Sequence, residues 1–308
     1  LTSIDHSGLF RRHADYLWGL CYRLTGSSAE AEDLVQETFA RALAQPPADL
    51  QRPWRPWLTT VATRLSIDAL RRRSRRAYTG PWLPTPVETP EGSPYLQPIE
   101  PGPDAEVRYS TLESLSLGFL LALEVLTPTQ RAVLLLRDAF GYTGPQTAEM
   151  LGRSPDNVRV LLHRARKAMA AARARTLEPE VVAGPAVQAA AMRFMAAVAQ
   201  GDLAGAQACL TEDVVMHNDG GGEYLAALKP IRGRDKVARF HVGVAKNSRV
   251  LTAEFRAVNG APALVCTLTA VRPRVAPRVV VAIELSDDGR IAAVMSMLAP
   301  AKLAAIRF

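Results

Sequence analysis

Gly144-Pro-Gln-Thr-Ala-Glu-Met-Leu-Gly-Arg-Ser-Pro-Asp-Asn-Val-Arg-Val-Leu-Leu-His163 decides how the chain is read. Ala148 is a small residue where a second helix can cross closely. Four positions later Gly152 tolerates the left-handed conformation of a tight turn. Ser154 stands where a helix cap is needed, with Pro155 at the first helical position. Val158, Leu161 and Leu162 supply an apolar face turned back on the first helix. The pattern predicts a helix-turn-helix. Its second helix offers Ser154, Asn157, Arg159, His163, Arg164, Arg166 and Lys167, which suit base edges near the helix start and phosphates further along. The plain alternative is a solvated basic helix in an ordinary bundle, so the rest of the chain must decide.

The 308 residues carry a net charge of +7, are 48% hydrophobic and contain three widely spaced cysteines. That composition excludes wholesale disorder, a disulfide scaffold and a zinc ribbon. The positive charge is local. Arg64, Arg71, Arg72, Arg73, Arg75 and Arg76 face a single acid, Asp68, and seven basic residues between Arg153 and Arg175 face only Asp156. Between these patches, 77–107 holds Glu88, Glu91, Glu100, Asp104 and Glu106 and no Lys or Arg. Eight prolines fall in the same stretch (81, 84, 86, 90, 94, 98, 101 and 103), so no regular helix crosses it. It reads as an acidic linker, either a solvated spacer or a segment that occupies a basic channel. Its apolar residues Trp82, Leu83, Tyr95, Leu96 and Ile99 predict that parts of it dock.

Upstream of the linker the chain is helical. Leu34, Val35, Thr38, Phe39, Ala42 and Leu43 form an apolar stripe at helix period, Ser27 or Ser28 can cap its start, and Pro46–Pro47 closes it. A second helix follows Pro53 and runs into the arginine cluster. Its tryptophans, Trp54 and Trp57, serve either as core or as stacking rings for bases. Segment 108–176 predicts three or four helices. From 185 the character changes: a helix over Ala186–Gln200 precedes β-rich runs at Val214–His217, Leu251–Val258, Leu264–Val271, Val279–Leu285 and Ile291–Leu298. Asp287-Asp288-Gly289 is a hairpin turn signal. Helices followed by an antiparallel sheet predict an α+β cone or half-barrel. Val181–Ala199 is broken by Pro185 and carries Arg193, so it reads as an amphipathic helix and not a membrane span. No signal peptide is evident in Leu1–Arg12, and a cytoplasmic location is expected.

Ala31-Glu-Asp-Leu-Val-Gln-Glu-Thr-Phe-Ala-Arg41 closely resembles the polymerase-binding helix of sigma-70-type transcription initiation factors. Pro56-Trp-Leu-Thr-Thr-Val-Ala-Thr-Arg-Leu-Ser-Ile-Asp-Ala-Leu-Arg-Arg72 is similar to the helix that reads the −10 element in that family. Leu126-Thr-Pro-Thr-Gln-Arg-Ala-Val-Leu-Leu-Leu-Arg137 and the helix-turn-helix resemble the domain that reads the −35 element. This order, covering most of 6–175, is the plan of the extracytoplasmic-function (ECF) sigma factors. Residues 185–308 resemble the SnoaL-like members of the NTF2-like fold, which one ECF group carries as an appended domain. Trp82-Leu-Pro-Thr-Pro86 in the linker and Asn218-Asp-Gly-Gly-Gly-Glu223 support that group. Its usual Asn-Pro-Asp-Lys-Leu tail pattern departs here to Ala299-Pro-Ala-Lys-Leu303.

The resemblance implies a multidomain fold: two all-α sigma domains over 1–76 and 108–176, joined by the linker 77–107, then an α+β cone-shaped domain over 185–308. It implies binding to core RNA polymerase, through its β and β′ subunits, by Asp33, Leu34, Gln36, Glu37 and Phe39. It assigns the −10 element to Trp54, Trp57, Arg64, Asp68, Arg71 and Arg72, and the −35 element to the second helix of the helix-turn-helix. A regulatory contact between Trp82, Leu83 and Pro84 and the loop Asp219, Gly220, Gly221 and Gly222 would replace a separate anti-sigma protein. No cofactor or membrane is implied. A small ligand in the cone, or an isomerase- or hydrolase-like activity using Asp213, His217 or Asp219 as a general base, is the alternative for the C-terminal domain.

Overall fold

The computed structural model describes residues 5–73, 78–96, 107–173, 184–270 and 273–308. Arg75, Arg76, Pro98, Ile99, Glu100, Pro101, Pro103, Asp104, Glu106, Arg175 and Val271 lie outside them. In chain order the elements are α1 (His6–Thr25), α2 (Ser28–Ala44), α3 (Trp54–Arg73), α4 (Thr111–Leu115), α5 (Leu117–Ala122), α6 (Pro128–Asp138), α7 (Gly144–Leu151), α8 (Pro155–Arg173), α9 (Gly184–Gln200), α10 (Leu203–Ala208), β1 (Leu210–Asp219), β2 (Ile231–Arg232), α11 (Arg234–Ala245), β3 (Ser248–Val258), β4 (Ala261–Ala270), β5 (Arg278–Leu285), β6 (Ile291–Met297) and α12 (Pro300–Leu303). The chain divides into two compact units. One comprises Leu1–Arg76, Gly92–Ser114 and Ala122–Ala172; the other comprises Ala77–Glu91, Leu115–Leu121 and Arg173–Phe308.

The first unit is all helix among its described residues, apart from connecting turns. Ser27 caps α2 by accepting from the Glu30 amide, and the expected stripe of Leu34, Val35, Thr38, Phe39 and Ala42 is buried. In the helix-turn-helix, Gly152 takes the left-handed conformation that ends α7, at φ 60°. Ser154 Oγ accepts from the Asn157 amide at the start of α8. Val158, Leu162, Ala165 and Met169 form the buried face of α8. The two helical segments also share polar ties. Arg131 is buried and donates to Leu24 O (3.0 Å) while pairing with Glu124 (2.8 Å), and Arg73 reaches the same carboxylate (2.9 Å). Arg23 is buried as well, donating to Ser114 Oγ, Thr111 O and Gly19 O. Tyr142 joins Tyr16 (2.8 Å) and Thr59 (2.9 Å). Segment 108–176, expected to hold three or four helices, holds α4 to α8 among its described residues, α4 and α5 being separated at Ser116.

The second unit is built on a six-stranded sheet of order β2-β1-β6-β5-β4-β3. It is mixed and not wholly antiparallel as expected, because β1 pairs in parallel with β6. From β1 the chain passes through a glycine loop, β2 and α11 before starting the β3–β6 meander. Its last strand therefore returns alongside β1 running the same way. Asn259–Gly260, with φ 53° and 78°, makes the tight β3–β4 turn, and Gly289 (φ 75°) makes the expected β5–β6 turn. Phe194, Val198, Leu210, Met216, Val237 and Val294 pack between one face of the sheet and helices α9 to α11. The opposite face holds Leu83, Leu117, Val265, Val280, Met297, Leu303 and Ile306. Period-two alternation along each strand separates these two cores.

Arg131→Ala leaves the Leu24 carbonyl without its donor and the Glu124 carboxylate with Arg73 as its remaining cation. Removing one partner of such a buried pair should lower stability by about 3 kcal/mol, read as a fall in the denaturation midpoint of the full chain. An unchanged midpoint would show that this tie contributes nothing.

Candidate functional site

Residues 78–91, between α3 and α4 in sequence, form a strap across the sheet face opposite α9 to α11. Leu83 to Val87 and Thr89 are buried. The strap pairs with the β3–β4 turn: the Val87 amide donates to Asn259 Oδ1 (2.9 Å), and the Asn259 amide donates back to Val87 O (2.8 Å). The Thr89 amide donates to Ala257 O (2.8 Å), and Glu88 forms an antiparallel bridge with Val258. Arg256 pairs with Glu88 at 3.1 Å. The spacer reading of the acidic linker does not describe this part of it, because backbone donors and side chains are satisfied on the sheet. This is strand addition by a segment of the same chain.

At the head of the strap lies the fully buried carboxylate of Asp219, at the end of β1. Its Oδ1 accepts from Tyr78 OH (2.6 Å) and the Gly221 amide (3.1 Å); its Oδ2 accepts from the Leu83 amide (2.8 Å) and Lys302 Nζ (2.5 Å). Lys302 also donates to Leu83 O and lies 4.4 Å from the centre of the Trp82 ring and 5.0 Å from that of Tyr78. Burial, reinforced by the hydrogen bond to Asp219, pushes the Tyr78 phenol far above its usual range. A buried carboxylate needs a cation and several donors to offset its lost hydration, and this one has both. The three glycines that follow are needed sterically. A Cβ on Gly220 would come within 2.9 Å of Tyr224 O. One on Gly221, whose φ is 60°, would come within 2.9 Å of Ala299 Cβ, and one on Gly222 within 3.2 Å of Thr79 Cβ.

The other sequence-predicted residues lie in the helical unit. On α2, Asp33, Gln36 and Glu37 are exposed, whereas Leu34 and Phe39 are not at the surface. At 6% and 8% exposure they belong to the core stripe, a correction to their assignment as contact residues. On α3, Arg64, Asp68, Arg71 and Arg72 share one exposed face, with Arg71 paired to Asp68 at 3.2 Å. Arg64 is engaged: its Nε donates to Met150 O on α7 (2.9 Å). Trp54 and Trp57 are half-buried and meet edge to face at 6.0 Å. On α8, Ser154, Asn157, Arg159, His163, Arg164 and Lys167 are exposed. Arg166 is the exception and a second correction. It turns inward and grips the fully buried Asp138 with Nε (2.8 Å) and Nη2 (2.6 Å), because it stands four residues after Leu162, beside the buried stripe. Together the exposed residues of α3 and α8 make two basic surfaces suited to phosphate.

The family model for sigma-70 region 2 matches residues 9–76, that for sigma-70 region 4 matches 116–169, and that for a SnoaL-like domain matches 191–294. The ECF RNA polymerase sigma factor SigJ of Mycobacterium tuberculosis is 37% identical over 240 residues, which cover 76% of this chain and 72% of SigJ. The crystal structure of Mycobacterium tuberculosis SigJ superposes with a TM-score of 0.71, at 29% identity, over 97% of this chain and 98% of that one. SigG of the same organism is 38% identical over 177 residues, 52% of this chain and 46% of SigG.

The chain belongs to the ECF RNA polymerase sigma factors. In this sigma factor the region 2 helices and the region 4 helices from α6 on form the first unit, and the SnoaL-like domain with the strap and residues 115–121 forms the second. Trp82, Leu83, Asp219 and the glycine loop, which the family resemblance paired, lie together in the second unit, and Pro84 is buried. Lys302 holds the carboxylate although the tail pattern around it is altered. Tyr78 and Asn259 were missed. The Asn-Gly pair at 259–260 is a turn signal that pointed to the second of these; nothing local marks Tyr78. The general-base reading is corrected too. Asp213, His217 and Asp219 do not line the large cavity of the domain, which takes the alternate residues of β1.

Asp219→Asn keeps the shape of the clamp but removes the charge that Lys302 neutralises. The Leu83 and Val87 amides of the full chain should then exchange with solvent roughly ten-fold faster, the signature of a local opening made easier. Unchanged exchange would show that the carboxylate does not hold the strap.

Proposed function

We propose that this sigma factor is controlled in cis, with its SnoaL-like domain holding the strap until core RNA polymerase competes for that part of the chain. The observation that carries this reading is the burial of Leu83 to Val87, in the stretch between the promoter-reading regions, under the Asp219–Lys302 clamp. A strap whose amides are bonded to β3 and Asp219 cannot at the same time lie along a channel of the polymerase. On this reading the attached domain takes the place of a separate anti-sigma protein. The sigma factor acts by binding and not by covalent chemistry, in the cytoplasm with its polymerase. Among the described residues no helix is long and apolar enough to cross a membrane.

Within this reading α2 meets the β and β′ subunits of the polymerase through Asp33, Gln36 and Glu37. Arg71 and Arg72, with Asp68, Arg64, Trp54 and Trp57, serve the −10 element. Ser154, Asn157, Arg159, His163, Arg164 and Lys167 serve the −35 element. Promoter binding also requires the helical unit to open. Elements centred roughly 25 base pairs apart lie about 80 Å apart along the duplex. A compact unit of roughly 150 residues has a radius of gyration near 15 Å. The Arg64–Met150 and Tyr16–Thr59–Tyr142 ties must therefore break, which frees Arg64 for DNA.

The test compares full-length wild type, Asp219→Asn and Lys302→Met for binding to core polymerase. A closed form that must first open weakens apparent affinity by the fraction already open. Both variants should bind about ten-fold more tightly than wild type. Glu37→Lys should weaken binding in every background. Equal affinities for wild type and both clamp variants would overturn the proposed control.

A further inference from the structure

The start of region 4 is parted from the rest of it. Residues 115–121, which include most of α5, belong to the second unit, whereas 122–172 belongs to the first. Leu117 and Leu121 stand four positions apart and so share one face of α5. Both pack into the sheet-face core that also holds Leu83 of the strap. Gly118 lies between them, so close to β5 that a Cβ there would overlap the Glu284 carboxylate. One face of the sheet therefore holds two segments that flank each other in space but not in sequence: the strap and α5.

A single side chain joins them. Asn259, 1% exposed, sits in the β3–β4 turn with φ 53°. Its Oδ1 accepts from the Val87 amide of the strap (2.9 Å), and its Nδ2 donates to Leu115 O at the end of α4 (2.9 Å). An amide N–H only donates and a carbonyl oxygen only accepts, so these two partners together fix which way the carboxamide points. When the strap leaves, the carboxamide loses one of them and meets water, and its hold on Leu115 weakens. Lifting α5 has the same effect in reverse, because Nδ2 would lose its acceptor while Val87 still held Oδ1 in place.

We propose that Asn259 couples the strap to the first helix of region 4, so that the two leave the sheet together and region 4 is freed by the step that lifts the strap. The coupling stands on these contacts alone; its consequence for region 4 rests on the strap being the regulated element.

Amide exchange of the full chain reads both segments at once. Val87 reports the strap. A six-residue helix does not persist alone in water, so protection of the Leu120 amide, which donates to Ser116 O (2.9 Å), reports docking of α5. Asp219→Asn acts on the strap side, yet should speed both amides by a similar factor, about ten-fold. Asn259→Asp keeps an acceptor for Val87 and offers no donor to Leu115, and aspartate tolerates the positive φ of the turn. Asn259→Gly tolerates it too and removes both bonds. In either background, adding Asp219→Asn should speed Val87 but change Leu120 by less than about two-fold. Leu120 exchange unmoved by Asp219→Asn in the otherwise wild-type chain would overturn the coupling. A full response of Leu120 in both Asn259 backgrounds would show that the coupling runs by another route.

In a second arm, Gly118→Cys combined with Glu284→Cys is oxidised with diamide to pin α5 to β5, with the wild type treated alongside. The pinned full-length protein should bind core polymerase at least about ten-fold more weakly than the same protein after dithiothreitol. Equal binding before and after reduction would contradict release of α5 as part of assembly. Clamp variants that bind polymerase no differently from wild type would count against control by the strap and leave the coupling measured in the free chain standing.

Discussion

The Asp219 carboxylate is the constraint on which the rest of the C-terminal unit depends. A charge removed this completely from water is tolerated only with a cation and donors arranged around it. Those come from three stretches of the chain: Tyr78 and Leu83 of the strap, Gly221 of the adjoining loop and Lys302 of the tail. One residue at a strand end therefore fixes the path of the strap, the close packing of the glycine loop and the seating of α12. The altered tail pattern fits this view. A Cβ on Gly221 would crowd Ala299, while Lys302, which carries the charge, is retained.

The helical unit shows the same logic of buried charge at a different scale. Arg23, Arg131 and the Arg166–Asp138 pair tie its helices together through guanidinium groups that reach backbone carbonyls and carboxylates. Arginine suits this role because its planar fork satisfies several acceptors at once and stays charged when desolvated. The exposed Arg72 on α3 and Arg164 and Lys167 on α8 present charge at the surface, where an anionic partner can meet it. The sigma factor thus divides its basic residues between holding helices together and presenting charge.

Much of this was legible in the sequence, for identifiable reasons. The helix-turn-helix followed from residues whose roles are local: a small residue at a crossing, a glycine in a left-handed turn, a serine cap. The pairing of Trp82–Pro84 with the Asp219 loop followed from family resemblance and not from local physics. What failed was assignment of side-chain direction near the edge of an apolar stripe. Leu34, Phe39 and Arg166 each have a neighbour on the expected surface, and a rotation of one residue moves a side chain from solvent to core. The parallel β1–β6 pair was missed because strand direction depends on the whole path of the chain. Tyr78 and Asn259 act over more than 100 positions of sequence separation, beyond any local pattern.

The most direct test of the account is hydrogen exchange across residues 83–89 of the full-length protein, free and bound to core RNA polymerase. Control through the strap predicts slow exchange at Leu83, Val87 and Thr89 in the free protein. It also predicts that clamp variants lose this protection without polymerase, and that the wild type changes its protection there when polymerase binds. Identical slow exchange in the free and bound wild-type protein, with promoter-directed transcription proceeding, would contradict it.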